Sequence, residues 1–176
     1  TATVLLLFKS GFAGVSDLET ISSTDQLSLL PNRRSLHADI EALARENDEV
    51  AIALIDLDSF KQVNAHFGHA VGDQLIQLCA NMLRGVCGDE ATCYRLGGDE
   101  FAVILAAVED ETAALEAGER LLAHFDRRIS LGKLDVRAQL TAGVAIGHKG
   151  SDPEEVYSAA DTALHNGKRE CRGTVQ

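Results

Sequence analysis

Residues 91–108, ATCYRLGGDEFAVILAAV, contain two apolar runs that are joined across Gly97-Gly98. Two adjacent glycines suit a tight hairpin turn, because glycine adopts a positive φ without steric cost. The pattern therefore predicts two antiparallel strands, from Ala91 to Leu96 and from Phe101 to Val108. Upstream, the continuous apolar run Val50–Ile55 is typical of a central strand that is covered on both faces.

Helical patterns and one long alternating run fill most of the remaining chain. The sequence predicts five helices. The first is opened by Pro31-Asn32 and buries Leu36, Ile40 and Leu43, and the fourth covers residues 110–130 and buries Leu121, Leu122, Phe125 and Ile129. The second lies near Phe60–Ala65, the third runs from His69 to Val86, and the fifth begins at Asp152 as its N-cap. Strict alternation from Leu134 to Ile146 predicts one long strand with a buried face. Residues 1–22 are interpreted as a lead-in or linker to a single domain over residues 23–176.

Without the flanking helices, the predicted order is β-α-β-β-α-β, the ferredoxin-like pattern of an α+β fold with a mostly antiparallel sheet. In this topology the third strand lies between the first two and runs antiparallel to both. Asp56 and Asp58 end the first strand, whereas Asp99 and Glu100 begin the third. The topology therefore predicts that carboxylates from two distant segments meet at one edge of the sheet.

Four carboxylates in one small region repel one another and raise one another's pKa unless a cation neutralises them. Mg²⁺ takes oxygen ligands and is commonly held by one or two carboxylates together with substrate phosphates. We interpret the cluster as a metal site, and a solvated acidic turn is the alternative. The adjoining stretch Asp58-Ser59-Phe60-Lys61 enters a helix, where free backbone N–H groups suit an anion. An ordinary connecting loop is the alternative there.

The composition narrows the class of protein. A net charge of −11 argues against binding to a nucleic-acid polymer, although a metal ion can still bridge to a nucleotide. The early apolar run Val4–Phe8 is too short to span a bilayer and lacks the flanks of a signal peptide. No cysteine pair has CxxC spacing, so buried reduced thiols are expected. These features predict a cytoplasmic domain without membrane contact of its own.

The segment Arg95–Phe101, RLGGDEF, is the signature of GGDEF domains, and four further segments resemble that family's pattern in order. They are Asp25–Arg33, Ile55–Asn64, Gly68–Asp73, and Ala160–Leu164 with Lys168 and Arg172. The resemblance extends from Ser23 to Gly173. On these motifs the chain is identified as a member of the GGDEF family, whose fold is the nucleotidyl-cyclase palm.

The resemblance implies a diguanylate cyclase, which condenses two GTP into cyclic di-GMP and releases two pyrophosphates. It implies a Mg²⁺ (or Mn²⁺) site made by Asp56, the Leu57 carbonyl, Asp99 and Glu100, with Glu100 also assisting deprotonation of the attacking 3′-hydroxyl. It implies substrate contacts from the backbone of Ser59, Phe60 and Lys61 to phosphates, from Asn64 and Asp73 to guanine, from His69 near the nucleotide, and from Lys168 and Arg172 to the triphosphate. Because one domain holds one GTP, the symmetric product implies a homodimer, at least a transient one.

Two other functions stay open at this point. The domain could bind GTP without turnover and regulate an adjacent cyclic di-GMP phosphodiesterase domain of the EAL type. It could instead be a nucleotidyl cyclase with another base preference, which Asp73 disfavours because a carboxylate accepts hydrogen bonds from guanine N1–H and N2–H₂. The resemblance also implies fusion to sensory or EAL domains in a longer protein.

The sequence departs from the family's pattern at a few positions. The departures are Leu29 for glycine, Ala65 for aspartate, His165 and Gly167 for tyrosine and alanine, and Gly173 where asparagine is frequent. None of them removes an implied metal ligand or base. The stretch Gly88–Ala91 lacks the Arg-x-x-Asp with which many members bind product, so product inhibition through that site is expected to be absent.

Overall fold

The structure is a computed structural model that describes residues 23–46, 49–88, 91–105, 108, 110–125, 127–131, 134–170 and 173–175. The predicted lead-in, residues 1–22, and the implied phosphate ligand Arg172 lie outside the described residues. In the part of the chain that the structure describes, no helix combines the length and the hydrophobicity needed to cross a bilayer.

A four-stranded antiparallel sheet forms the centre of the domain. Its strands are β1 (Glu49–Leu57), β2 (Ala91–Gly97), β3 (Glu100–Leu105) and β6 (Leu140–His148), in the order β2-β3-β1-β6. The hairpin β2–β3 and the position of β3 between β1 and β2 confirm the predicted ferredoxin-like topology. The sheet therefore places the end of β1 beside the start of β3.

In the described part of the chain, five helices cover the two faces of this sheet. They are α1 (Arg33–Glu46), α2 (Phe60–Phe67), α3 (His69–Cys87), α4 (Glu111–Ala123) and α5 (Pro153–Glu170). Helices α3 and α4 pack on the face that carries Ala51, Ala53 and Ile55. Helices α1 and α5 pack on the face that carries Val50, Ile52 and Leu54. Both faces of β1 are thus buried, which explains its unbroken apolar run.

Two sequence predictions about the fold are wrong. Helix α4 ends at Ala123, and residues predicted as its last turn form β4 (Arg127–Leu131). The predicted long strand is two strands, because β5 (Leu134–Ala138) pairs with β4 in a separate two-stranded sheet. Phe125 and Ile129 are nevertheless buried as predicted. Residues four positions apart lie on the same face of a strand as well as of a helix, so their spacing did not distinguish the two.

Gln139 separates β5 from β6, and its carbonyl oxygen accepts a hydrogen bond from the Asp58 N–H at 2.9 Å. This hydrogen bond extends the antiparallel β1–β6 pairing, in which Leu57 lies opposite Leu140, whereas β5 pairs with β4 instead of β1. From Leu140 onward the predicted alternation is confirmed, because Leu140, Ala142, Val144 and Ile146 belong to one core cluster.

Helix α5 is positioned by its first residues and by a close approach to β6. The Asp152 side chain accepts a hydrogen bond from the Glu154 N–H at 3.0 Å, which confirms the predicted N-cap. At Gly143, a Cβ atom would collide with the backbone of Ala160 and Leu164 and would lie 2.7 Å from the Leu164 Cα. The glycine therefore lets α5 lie directly on β6, which directs the last turn of α5 toward the end of β1.

Leu29 occupies a left-handed conformation, with φ of 58°, and its side chain is 68% exposed. The left-handed conformation costs a non-glycine residue about 1–2 kcal/mol. Glycine avoids this strain but loses more conformational entropy on folding, which cancels part of the gain in stability. We expect Leu29→Gly to raise the free energy of unfolding by up to about 1 kcal/mol. Urea denaturation measures this change. Leu29→Ala is the control, since it removes the exposed leucine but keeps the strain. Equal stabilisation by both variants would contradict the explanation.

Candidate functional site

The carboxylates predicted to converge do so at the end of β1. We call this region the acidic edge; it comprises Asp56, Asp58, Asp99 and Glu100. Asp56 lies opposite Glu100 in the β1–β3 pairing, and the Leu57 N–H donates to the Asp99 carbonyl oxygen at 3.1 Å. The acidic edge is thus fixed by the register of two strands.

Asp56 is the most enclosed carboxylate of the acidic edge. Its side chain is only 10% exposed, and its Oδ2 atom lies 2.6 Å from the Lys168 Nζ at the end of α5. Burial raises the pKa of Asp56, and the negative charges of Asp99 and Asp58 add to this effect against the opposing influence of Lys168. The site therefore contains a carboxylate for which a nearby positive charge is favourable.

Asp58 contacts β6, whereas Asp56 contacts Lys168. Its Oδ2 atom accepts a hydrogen bond from the buried Thr141 hydroxyl at 2.8 Å. The same hydroxyl oxygen accepts from the Gly173 N–H at 3.0 Å. Asp58 therefore connects β1 to β6 and to the C-terminal segment, and Thr141 is a residue that the sequence patterns did not single out.

As placed, the side chains of the acidic edge do not form a ready-made coordination shell. Within the described residues, no group of three or more His, Cys, Asp or Glu side chains is arranged to hold a metal ion. The available donors are carboxylate and carbonyl oxygens, which are the ligands that Mg²⁺ and Mn²⁺ prefer. The donor chemistry thus fits a hard divalent cation, and Lys168 contacts one carboxylate oxygen of this donor set.

Glu100 lies at the rim of the acidic edge and is 43% exposed on its side chain. Its Oε2 atom is 3.4 Å from a guanidinium nitrogen of Arg33, on α1. The same guanidinium lies over the Tyr157 ring, 5.1 Å from its centroid. Burial raises the pKa of Tyr157, and the negative charges of Glu100 and Asp161 add to this effect against the positive charge of Arg33. Arg33 belongs to the resembling entry motif, but no sequence pattern showed that it reaches Glu100.

The turn from β1 into α2 has an unusual backbone. Ser59 is the N-cap residue of α2 and has a φ of 63°, in the left-handed region. Its side chain makes no capping hydrogen bond to the helix. Phe60 and Lys61 follow as the first residues of α2, where backbone N–H groups have no partner within the helix. A strained turn that presents such groups suits a phosphate.

The three residues implied to lie near the base are on α2 and α3. The Oδ1 atom of Asn64 is buried and has no hydrogen-bond partner among the described residues. His69 and Asp73 are exposed in the first two turns of α3. Asn64 packs against Gly72, the neighbour of Asp73 in the chain. The structure therefore brings Asn64 close to the start of α3, as recognition of one base by both residues requires.

Comparison with known sequences settles the family. Its sequence model, described as "Diguanylate cyclase, GGDEF domain", matches residues 22–174. The chain belongs to the GGDEF domain family. It is 34% identical over 156 residues to the diguanylate cyclase TpbB of Pseudomonas aeruginosa, which covers 85% of this chain and 36% of that protein. It is 33% identical over 160 residues to a diguanylate cyclase of Vibrio cholerae, covering 88% of this chain and 49% of that protein.

A relative with a different name matches as well. The chain is 32% identical over 160 residues to the cyclic di-GMP phosphodiesterase PdeR of Escherichia coli, covering 89% of this chain and 24% of that protein. The chain therefore spans between about a quarter and a half of the length of these three relatives.

Solved GGDEF structures have the same fold. The GGDEF domain of TpbB from Pseudomonas aeruginosa superposes with a TM-score of 0.79 at 32% identity, covering 85% of this chain and 96% of that one. The coiled coil and GGDEF domain of DgcB from Caulobacter crescentus, in complex with c-di-GMP, superposes with a TM-score of 0.82 at 25% identity, covering 92% and 88%. The likeness confirms the nucleotidyl-cyclase palm expected from the sequence.

In this GGDEF domain the signature turn is tied to the entry motif. Arg95 donates one hydrogen bond to Asp25 Oδ1 and another to the Gly98 carbonyl oxygen, each at 2.8 Å. Burial opposes ionisation of Asp25, but the hydrogen bonds from Arg95 and Ser28 outweigh it and lower its pKa. Arg95 therefore links the Gly98 turn to Asp25 of the entry motif and holds the turn beside the acidic edge. The motif match alone did not reveal this role.

Proposed function

We propose that this GGDEF domain is a diguanylate cyclase that condenses two GTP into cyclic di-GMP and two pyrophosphates. The observation that carries the proposal is the intact acidic edge, in which Asp56 lies opposite Glu100 and beside Asp99. Adjacent to it, the left-handed Ser59 turn begins a helix. Carboxylates and backbone donors at one sheet edge are what phosphoryl transfer on a nucleotide requires.

In the proposed reaction, the 3′-oxygen of one GTP attacks the α-phosphorus of the other, and pyrophosphate leaves in line. Glu100 takes the proton from the 3′-hydroxyl, for which its exposed carboxylate is placed at the rim of the site. Backbone N–H groups of Ser59, Phe60 and Lys61 hold the terminal phosphates. Lys168 and Arg172 provide positive charge against the triphosphate.

Asp56, the Leu57 carbonyl, Asp99 and Glu100 are the groups that would hold Mg²⁺ or Mn²⁺. When bound, the cation would neutralise phosphate charge and lower the barrier at the α-phosphorus. In the structure Lys168 provides the positive charge at Asp56. We propose that Lys168 moves from Asp56 to the phosphates when GTP and metal bind together.

Asn64 and Asp73 select guanine, and His69 lies beside the nucleotide. The Asp73 carboxylate accepts from guanine N1–H and N2–H₂, a donor pair that adenine lacks. The Asn64 amide oxygen has no hydrogen-bond partner among the described residues, which is expected of a side chain that is placed for a ligand. A cyclase with another base preference is the less favoured function for the same reason.

One domain presents one such site, so two domains must face each other to form the symmetric product. We therefore propose a homodimer that forms at least transiently during catalysis. We also propose that the domain works in the cytoplasm as one part of a longer protein with sensory or EAL domains. The relatives that are two to four times as long as the chain support this organisation.

A second candidate is a GTP-binding regulatory module without turnover. The similarity to PdeR, a protein named as a cyclic di-GMP phosphodiesterase, supports this second candidate. In this case the site would bind GTP and metal with the same residues, and an adjacent phosphodiesterase domain would respond.

Incubation of the domain with GTP and Mg²⁺, followed by chromatography of the products, tests the proposal. We expect cyclic di-GMP and pyrophosphate from GTP and no cyclic product from ATP. Calorimetric titration with both nucleotides accompanies the assay. Tight GTP binding without product at high protein concentration would favour the regulatory module, and equal turnover of ATP would contradict guanine selection.

A further inference from the structure

Gly72 lies in the first turns of α3 and is buried. Its backbone φ is not in the left-handed region, so the helix geometry itself does not require glycine. A Cβ atom there would overlap the Oδ1 atom of Asn64 and lie 3.0 Å from the Asn64 Cγ and 3.2 Å from the Phe60 Cζ. The lack of a side chain at Gly72 is therefore what makes room for Asn64 and Phe60 of α2.

The Asn64 amide is held in place by this packing. Its Oδ1 atom is enclosed and, among the described residues, no donor hydrogen-bonds to it. A buried amide oxygen without a partner is unfavourable for folding, so the fold gains nothing from the amide at this place. Because none of the described residues hydrogen-bonds to this Oδ1 atom, its position depends on the space beside Gly72.

We propose that Gly72 is a positioning residue for guanine selection, which it controls through the Asn64 amide. This inference rests on the proposed function, because it takes Asn64 and Asp73 as the guanine-reading pair. Gly72 directly precedes Asp73 on α3, so one short segment sets the place of both groups. A side chain at position 72 displaces the Asn64 amide from Asp73.

The same helix supplies a matched control. Gly85 also lies within α3, and a Cβ atom there would meet nothing within 4 Å. Glycine is a poor helix former, so alanine at Gly85 is expected to raise the midpoint of thermal unfolding. Alanine at Gly72 receives the same propensity gain but adds the clash with Asn64. The difference between the two variants therefore isolates the contact.

The test is a set of variants: Gly72→Ala, Asn64→Ala, the double variant, and Gly85→Ala. Each is measured by thermal unfolding and by calorimetric titration with GTP and with ATP in the presence of Mg²⁺. We expect Gly72→Ala to weaken GTP binding about tenfold or more while ATP binding changes little. In the Asn64→Ala background, Gly72→Ala should cost no further GTP affinity and should raise the unfolding midpoint, as Gly85→Ala does.

The outcomes separate the inference from the function on which it rests. If the wild-type domain binds GTP but Gly72→Ala binds it equally well, the inference is overturned and the proposed function stands. The inference also fails if Gly72→Ala lowers GTP affinity by the same factor in the Asn64→Ala background as in the wild-type domain. If the wild-type domain binds no GTP, both are overturned. Should Gly72→Ala fold poorly, recovery of the unfolding midpoint in the double variant still identifies the Asn64 contact.

Discussion

Glu100→Ala is expected to reduce cyclic di-GMP formation from GTP by about a thousandfold or more, because in the proposed mechanism Glu100 is both the base and a metal ligand. The loss should occur without unfolding. Glu100 is 43% exposed, and its contact with Arg33 is a surface ion pair at 3.4 Å, which contributes little to stability. Chromatography of the products, with circular dichroism on the same sample, measures both effects.

Titration of Mn²⁺ by electron paramagnetic resonance separates the two roles assigned to Glu100. Unchanged Mn²⁺ affinity with lost turnover would assign Glu100 to proton transfer alone, whereas a parallel loss would assign it to the metal as well. Glu154→Ala is the matched control, since this carboxylate is 72% exposed and pairs with His37 rather than with a residue of the acidic edge. Turnover by Glu100→Ala within about tenfold of wild type would remove the residue from the mechanism.

Lys168→Met is expected to change metal and nucleotide binding in opposite directions. Without the ammonium group at 2.6 Å, the Asp56 carboxylate is open to a cation, so Mn²⁺ should bind about tenfold more tightly in the absence of nucleotide. Turnover of GTP should nevertheless fall by about a hundredfold or more, because Lys168 no longer neutralises the triphosphate. Electron paramagnetic resonance titration and the product assay measure the two effects.

Stability gives an independent measurement of the same contact. Removing Lys168 leaves the buried Asp56 charge beside Asp99 and Asp58, so Lys168→Met should unfold at lower temperature, and Mn²⁺ should restore most of the loss. Arg169→Met is the matched control, because Arg169 is the next residue of α5 and is exposed. If the Mn²⁺ affinity of Lys168→Met equals that of Arg169→Met, Lys168 does not compete with the metal.

The central sheet could be predicted from the sequence because its signals are local. The two apolar runs on either side of Gly97-Gly98 form β2 and β3, and the unbroken run at Val50–Ile55 lies in β1. Once the β-α-β-β-α-β order is recognised, chain topology alone places Asp56 near Glu100. The strand register confirms this placement.

The errors arose where distant contacts decide the local structure. Ile129 satisfies a helical spacing, yet its segment pairs with β5, which no local pattern in residues 110–130 indicates. The alternation through Gln139 looks continuous, but the residues before Gln139 pair with β4 and the residues after it pair with β1. Tertiary hydrogen bonds outweigh periodicity at both places.

The candidate site likewise has a part that the sequence predicted and a part that only the structure shows. Motifs predicted which residues could act, and the structure adds what holds them: Lys168 on Asp56, Arg33 on Glu100, and the space at Gly72 for Asn64. None of these contacts joins residues at a spacing that a periodic pattern would show. Leu29 gives the converse case, because the departure from glycine was visible in the sequence and its positive φ explains why glycine is usual.

The most direct test of the account measures the initial rate of cyclic di-GMP formation, per domain, at saturating GTP and Mg²⁺ over a wide range of protein concentration. Two facing domains that each hold one GTP predict a rate per domain that rises with concentration and is lost in Glu100→Ala. GTP binding with no cyclic di-GMP at the highest concentration would contradict the account and assign the domain to regulation by GTP.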